Sequence, residues 1–442
     1  MEYYGDSQGD KSAKELNPWE FPSAERYSTG TTCESTIISG GLYRTVSDTG
    51  LDYSRSETPV EANSLRTGLQ FQLNTIRPSK QFVSSASRLI AEMTSVVTTY
   101  LDASASVVPY GSIASNLCVD NASVDLMVFI PPNIFDASFG CTSRPGQHAD
   151  IPIGMLKEYD LRQSMRKALA RLGELFTVFC GFYLVKLTNV APVSSICVSS
   201  RVPVLTMVDP VSGLSFEITC NNVFPLFSTR LLKAYNSLVP TGELRDCVLL
   251  VKHWASRRGL VGAGPGCLSG FAWTVMCVFY CQSGLGLLPS LQSMSCERQQ
   301  WTDPFGSNRR CDVGFEADCD PVALTGGLDG VALFVGFVDY FANYWNWKNA
   351  VVSVRLGRVV HMESAEVFIK PPAVERAPAL IIEDPFDIKR DLCGQGSFDR
   401  LRSEFVESAL LIAAGGTVSS LLMPTGQSVA VAPRKKRAES AI

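Results

Sequence analysis

Histidine is scarce in this chain: only His148, His253 and His361 occur in 442 residues. That excludes a His-rich metal site and leaves little material for a Ser-His-Asp triad. The C-x-x-C spacing of a zinc module is missing, although there are 14 Cys. Most of these, Cys118, Cys180, Cys220, Cys277 and Cys281 among them, sit inside apolar runs and read as buried free thiols of a reducing compartment. No continuous apolar run reaches a membrane span; the longest such stretch, around Phe271 to Leu288, is broken by Ser, Gln and Gly and reads as a buried helix and its end. An excess of positive charge is missing too. With a net charge of −4, any RNA contact must come from a local patch. The N-terminal stretch MEYYGDSQGDKSAKE lacks the apolar region of a secretory signal and the arginines of a transit peptide. The expectation is a soluble intracellular protein with no membrane partner, cytoplasmic or nuclear, with a mitochondrial address left open.

What is present is a core. Hydrophobic residues make up 46% and charged residues 19%, enough for two or three packed domains. Residues 1–65 are polar with weak periodicity and read as disordered. Apolar positions at Phe82, Leu89, Ile90, Met93 and Val97 predict a helix from Pro78 to Tyr100. Strands are expected at Ala105–Tyr110 and Ser123–Ile130, the latter stopped by Pro131-Pro132. A helix over 155–178 and strands near 194–200, 203–208 and 215–220 follow. Helical patterning runs from Asn222 to Gln282, an irregular insert spans 289–325, and helices with short strands resume to Gly415. The tail 424–442, with Arg434 to Arg437 as a basic cluster, reads as disordered.

One constellation carries chemistry. Gly111-Ser112 turns out of a strand, and Asp125 lies on the next one. Backbone N–H groups at such a turn can cradle a phosphate, and a strand carboxylate beside it can hold Mg²⁺. GSIASNLCVDNASVDLMVF resembles the DNA polymerase beta superfamily motif in the form used by terminal uridylyltransferases and divergent poly(A) polymerases. SRVPVLTMVDPVSGLSFEITCNN, FSTRLLKAY, CVLLVKHWASRRGL, LSGFAWTVM and LIIEDPFDIKRDLCG resemble later blocks of that family, in the same order, so the resemblance covers about 78–415. It implies an α+β, bilobal nucleotidyltransferase fold. An N-terminal mixed-sheet catalytic lobe over 78–225 would be joined to a mainly helical poly(A)-polymerase-associated lobe over 226–420, possibilities for the former including completion by an element from the C-terminal end. It implies catalytic positions at Ser123, Asp125 and Glu217, with the metal on Asp125 and Glu217. Nucleotide contacts are implied at Gly111, Ser112, Ser228, Thr229, Lys252, Ser269, Phe271 and Asp384.

The family pattern breaks at its cleft. Ser123 stands where the first strand Asp is expected, and a neutral hydroxyl is a poor Mg²⁺ ligand beside a carboxylate. Ser256 replaces a second phosphate-binding Lys, for which Arg257 or Arg258 could substitute. Phe271 replaces a base-stacking Tyr, and Arg390-Asp391 replaces the His-Asn of some uridylyltransferases. The expectation is a catalytically impaired family member that binds RNA or nucleotide, or serves as a scaffold among protein partners in an RNA-processing assembly. The alternative is an active enzyme adding nucleotides from UTP or ATP to RNA 3′ ends with Mg²⁺ or Mn²⁺; an impaired protein would need no metal.

Overall fold

The computed structural model describes residues 14–16, 59–142, 156–187, 202–262, 266–302, 310–323, 328–369, 380–393 and 398–424. The strand expected near 194–200 and the basic cluster at 434–437 lie outside them. In chain order the elements begin with β1 (Lys14–Leu16), α1 (Pro59–Ile76), α2 (Lys80–Tyr100), β2 (Ser106–Tyr110), α3 (Gly111–Ala114) and β3 (Val124–Phe129). Next come α4 (Pro132–Phe139), α5 (Leu156–Cys180), β4 (Tyr183–Leu187), β5 (Leu205–Val208) and β6 (Ser215–Cys220). The helical part contains α6 (Phe224–Leu238), α7 (Glu243–Arg257), α8 (Gly270–Phe279), α9 (Leu291–Met294), β7 (Gln299–Thr302) and β8 (Arg310–Asp312). It ends with α10 (Gly330–Asp339), β9 (Ala350–Val352), β10 (Val360–His361), β11 (Ile381–Ile382), α11 (Asp399–Ala413) and α12 (Val418–Leu421). None of the described helices is long and apolar enough to cross a membrane.

The architecture is α+β with a mixed five-stranded sheet in the order β2-β3-β6-β5-β4. Only β3 and β6 pair in parallel; the other neighbours are antiparallel. Alternation along β3 divides its side chains. Val124, Leu126 and Val128 enter a core shared with α2 and α5, whereas Met127 faces the other way into the helical lobe's core. Asp125 belongs to this second face, which looks toward the cleft.

The helical lobe is built around α7. Five consecutive residues, Cys247 to Val251, are buried, so this helix is covered on nearly all sides. Its own end is closed by α11 and α12. Arg258 is fully buried, ion-pairs with Glu404, and donates from Nε to the Leu421 carbonyl at 2.7 Å. Trp254 Nε1 donates to Ser408 Oγ at 3.0 Å. Arg258 is therefore spent on the lobe's own packing, and it does not substitute for the missing phosphate-binding Lys.

The stretch read as disordered to residue 65 overlaps α1, whose Leu65, Leu69, Leu73 and Ile76 all enter the helical lobe's core. The chain then crosses to the sheet lobe at Arg77–Ser79 and returns at Asn221–Val223. Asn221 pins the return: in left-handed conformation, it exchanges two side-chain hydrogen bonds with the Ile130 backbone, at 2.8 and 2.9 Å. Asn tolerates that conformation better than most residues. Among the described residues, no C-terminal element joins the five-stranded sheet. β4 is a further strand that the sequence pattern did not indicate.

Glu404→Ala leaves the buried Arg258 with only the more distant Glu407, at 3.8 Å, and should cost about 3 kcal/mol in urea unfolding. Replacing both partners with apolar residues of similar volume should cost clearly less than the sum of the two single changes, which a double-mutant cycle reads directly.

Candidate active site

The register of β3 on β6 sets Asp125 beside Glu217, with Tyr110 and Thr206 as the next partners outward on β2 and β5. Neighbouring strands lie ~4.8 Å apart, so the two carboxylates point from adjacent positions into the same cleft. Burial pushes the Asp125 carboxyl up to about 7; Glu217 adds to the rise and Lys252 opposes it. Burial also holds the Tyr110 hydroxyl well above its usual range, with Asp125 contributing.

Gly111 is required where it stands. Its φ is +68°, and a Cβ there would lie 2.2 Å from Asp125 Oδ2. The absence of a side chain lets the turn pack directly on the carboxylate. The Gly111 N–H donates to Thr229 Oγ1 at 2.9 Å, so this donor of the expected phosphate cradle is already engaged. Ser112 is the second residue of α3, and its carbonyl accepts from Leu117 N at 2.9 Å.

Ser123 lies just before β3, on the Asp125 face by alternation. Its exposed hydroxyl donates to the Ser215 carbonyl at 3.3 Å. Asp120 is turned elsewhere: its Oδ1 accepts from Ser79 N at 2.8 Å and its Oδ2 from Asn121 Nδ2 at 2.9 Å. Among the described residues, no three His, Cys, Asp or Glu side chains form a metal cage. Asp125 and Glu217 fit one hard divalent ion that brings phosphate and water ligands with it. A pair of ions needs a further carboxylate, and Ser123 does not provide one.

Lys252 reaches across from α7. It is partly buried, and its Nζ donates to the Leu117 carbonyl of the sheet lobe at 2.9 Å. Burial lowers its pKa to about 8, while Cys277, Cys118 and Asp125 pull the other way. The start of α8 lies against it, since a Cβ on Gly270 would be 3.9 Å from Lys252 Cε. Exposed Ser269 caps that helix by accepting from Ala272 N, and Phe271 packs partly buried on the helical core. Ser228 is buried on α6 beside Thr229.

Asp384 is turned in on its own loop. It is buried, its Oδ1 accepts from Phe386 N and Asp387 N at 3.0 and 3.1 Å, and Arg390 reaches its Oδ2 at 3.3 Å. Burial raises its pKa, with Arg390 and the two N–H donors opposing. Phe386 meets Phe227 of α6 edge-on, which ties this loop to the helix carrying Ser228 and Thr229. Arg257 is exposed and points into a separate surface cavity.

The structure thus brings Gly111, Asp125, Glu217, Thr229 and Lys252 into one connected set, with Ser123 at its edge and the Ser269–Phe271 segment beside Lys252. Asp384 is bonded within its own loop, which Phe386 ties to α6. Two contributors escaped sequence reasoning. Tyr110 precedes Gly111 directly and flanks Asp125, and Asn236 donates from α6 to the Ser115 carbonyl at 3.3 Å. Asn236 lies seven positions after Thr229, two helical turns along the same face, and that spacing was the available signal.

Comparison with known proteins bears on the family and the fold. Residues 65–237 match the family described as poly(A) RNA polymerase, mitochondrial-like, central palm domain. Residues 331–390 match the Cid1 family poly A polymerase domain. The chain is 27% identical over 218 residues to the poly(A) RNA polymerase GLD2 of Bos taurus, across 48% of this chain and 42% of that protein. It is 27% identical over 217 residues to GLD2-A of Xenopus laevis, across 48% of this chain and 40% of that protein. The match thus spans less than half the length of these relatives. A cytoplasmic RNA terminal U-transferase structure superposes with a TM-score of 0.61 at 21% identity, covering 81% of this chain and 98% of that one. A structure of the Cid1 poly(U) polymerase with MgGTP gives 0.61 at 20% identity, with the same coverage. Those identities establish the shared fold. The two domain matches lie in the expected order, one over the sheet and the return to the helical lobe, the other from α10 to the loop that carries Asp384. This chain is a member of the poly(A) polymerase and terminal uridylyltransferase family of RNA 3′-end nucleotidyltransferases.

Proposed function

We propose that this protein is a catalytically impaired member of its family, retaining the cleft as a binding surface for nucleotide or an RNA 3′ end within an RNA-processing assembly. The observation that carries this reading is the donor set at the sheet edge: Asp125 and Glu217 side by side, with a main-chain-bonded Ser123 in the third position. The cross-lobe hydrogen bonds add to it. Lys252 is bonded to Leu117 and Thr229 to Gly111, so an incoming triphosphate must displace contacts that hold the lobes together.

The second reading is an active transferase, favoured by the surviving carboxylate pair. A divalent ion would there neutralise the phosphates of the incoming nucleotide. Asp125 and Glu217 would hold it, Lys252 would take phosphate charge, and the α8 start would flank the base. A Ser in the third position removes transition-state charge stabilisation, a loss of several kcal/mol in sites of this kind.

Purified protein given labelled RNA, each NTP and Mg²⁺ or Mn²⁺ should extend the 3′ end barely above background. Ser123→Asp should raise incorporation about 10²-fold or more if the missing carboxylate is the defect. Robust extension by the native protein, abolished by Asp125→Ala, would establish the second reading instead.

The raised Asp125 pKa sets a pH test in the absence of metal. The ordinary carboxyl value is 3.8 and the folded value about 7, so the folded state holds this proton more tightly. Its contribution to stability is fully present below the unfolded value and is lost as pH rises through about 7. Asp125→Asn should therefore stabilise the protein by a few kcal/mol, up to about 4, at pH 8 relative to its effect at pH 4, read by urea unfolding at both pH values.

A further inference from the structure

The outer side of α7 carries chemistry that the cleft does not use. His253 follows Lys252 and therefore sits about 100° around the helix, away from the Leu117 contact. One turn later comes Arg257 on the same stripe. With Gln72 of α1 and Val418 and Leu422 at α12, these two residues line an open cavity of about 340 Å³. Among the described residues, no acidic side chain lines it.

Nearby arginines are neutralised within the protein: Arg66 pairs with Asp329, Arg77 with Asp246, and Arg258 with Glu404. Arg257 has no carboxylate partner among the described residues, and it stands exposed beside the half-buried imidazole of His253. Burial and the neighbouring guanidinium both hold His253 below its ordinary pKa. Two basic groups have thus been brought together with no acid among the described lining residues, against a wall that is apolar on its other side. An anion would relieve the repulsion, and Val418 and Leu422 would accept the apolar part of the same molecule.

We propose that this cavity binds a phosphate-bearing nucleotide, with the phosphate on His253 and Arg257, the base against Val418 and Leu422, and Gln72 available to a polar edge. The ligand chemistry is shared by a free nucleotide and by one nucleotide of a single-stranded RNA. The site is distinct from the Asp125–Glu217 cleft and does not depend on whether that cleft is active.

The scarcity of histidine makes the test direct. In the full chain labelled with ¹³C-histidine, three imidazole signals are expected, and His253→Gln identifies one of them. Inorganic phosphate, UMP and an oligouridine are titrated separately without divalent metal. UMP should move the His253 signal saturably at a concentration at least about tenfold below that for phosphate. Arg257→Gln should weaken the UMP response about tenfold, whereas Asp125→Ala should leave it unchanged. Tighter binding of oligouridine than of UMP assigns the pocket to an RNA strand, and equal binding assigns it to the free nucleotide. No shift with any of the three probes, an unchanged response in Arg257→Gln, or loss of the response in Asp125→Ala would overturn the proposal. Thermal unfolding of Arg257→Gln alongside native protein confirms that the variant is folded; because the side chain is exposed, its midpoint should stay within a degree or so.

Discussion

The parallel pairing of β3 with β6 is the constraint on which the rest of the cleft depends. Its register places Asp125 opposite Glu217 and, one face over, locks Leu126 and Ile218 into the core beneath α2 and α5. A slip of one residue would exchange those faces, burying both carboxylates among apolar side chains. The hydrophobic pattern therefore enforces the position of the acids, and it does so whether or not catalysis survives. Gly111 depends on the same register, because its lack of a side chain matters only while Asp125 Oδ2 lies directly against it.

The second constraint is the set of bonds across the cleft. Gly111 to Thr229, Lys252 to Leu117 and Asn236 to Ser115 connect the lobes through groups that the family resemblance associates with, or places near, the nucleotide. A side chain that donates to a main-chain carbonyl is satisfied without ligand, so part of any binding energy goes into breaking that contact. In this respect Lys252, which donates to Leu117, and Thr229, whose Oγ1 accepts from the Gly111 N–H, act first as fasteners. The neutral Ser123 and these engaged side chains border the same cleft from its two lobes.

Much of this was legible in the sequence, for identifiable reasons. β6 alternates apolar and polar residues, β2 and β3 are short β-branched and apolar runs, and all are bounded by Gly, Pro or Asn, so the strands and the positions of Asp125 and Glu217 could be anticipated from pattern and family order. β4 was not. Tyr183, Leu184 and Val185 are exposed at the sheet edge, so the Tyr-Leu-Val-Lys-Leu run carries no inside–outside alternation to read. α1 was masked by its composition: Leu65, Leu69, Leu73 and Ile76 have helical spacing, but Thr, Gly, Gln and Asn between them, and Asn63-Ser64 before them, continue the polar character of the preceding stretch. Arg258 and Asp384 show the limit for single residues. A charged side chain in a functional-looking motif can be taken up by distant backbone or by its own turn, and neither partner is marked in sequence.

The placement of α1 also changes what the start of the sheet lobe means. The helix precedes every strand of the five-stranded sheet, yet its apolar stripe packs into the opposite lobe, where a Cβ on Gly68 would lie 2.6 Å from Val418. The two lobes are consequently interleaved along the chain, and cutting at residue 78 would not release an independent catalytic half. It would uncover a greasy furrow beside α7 and α12 in the other half, so each lobe's integrity is written partly in the other's stretch of sequence.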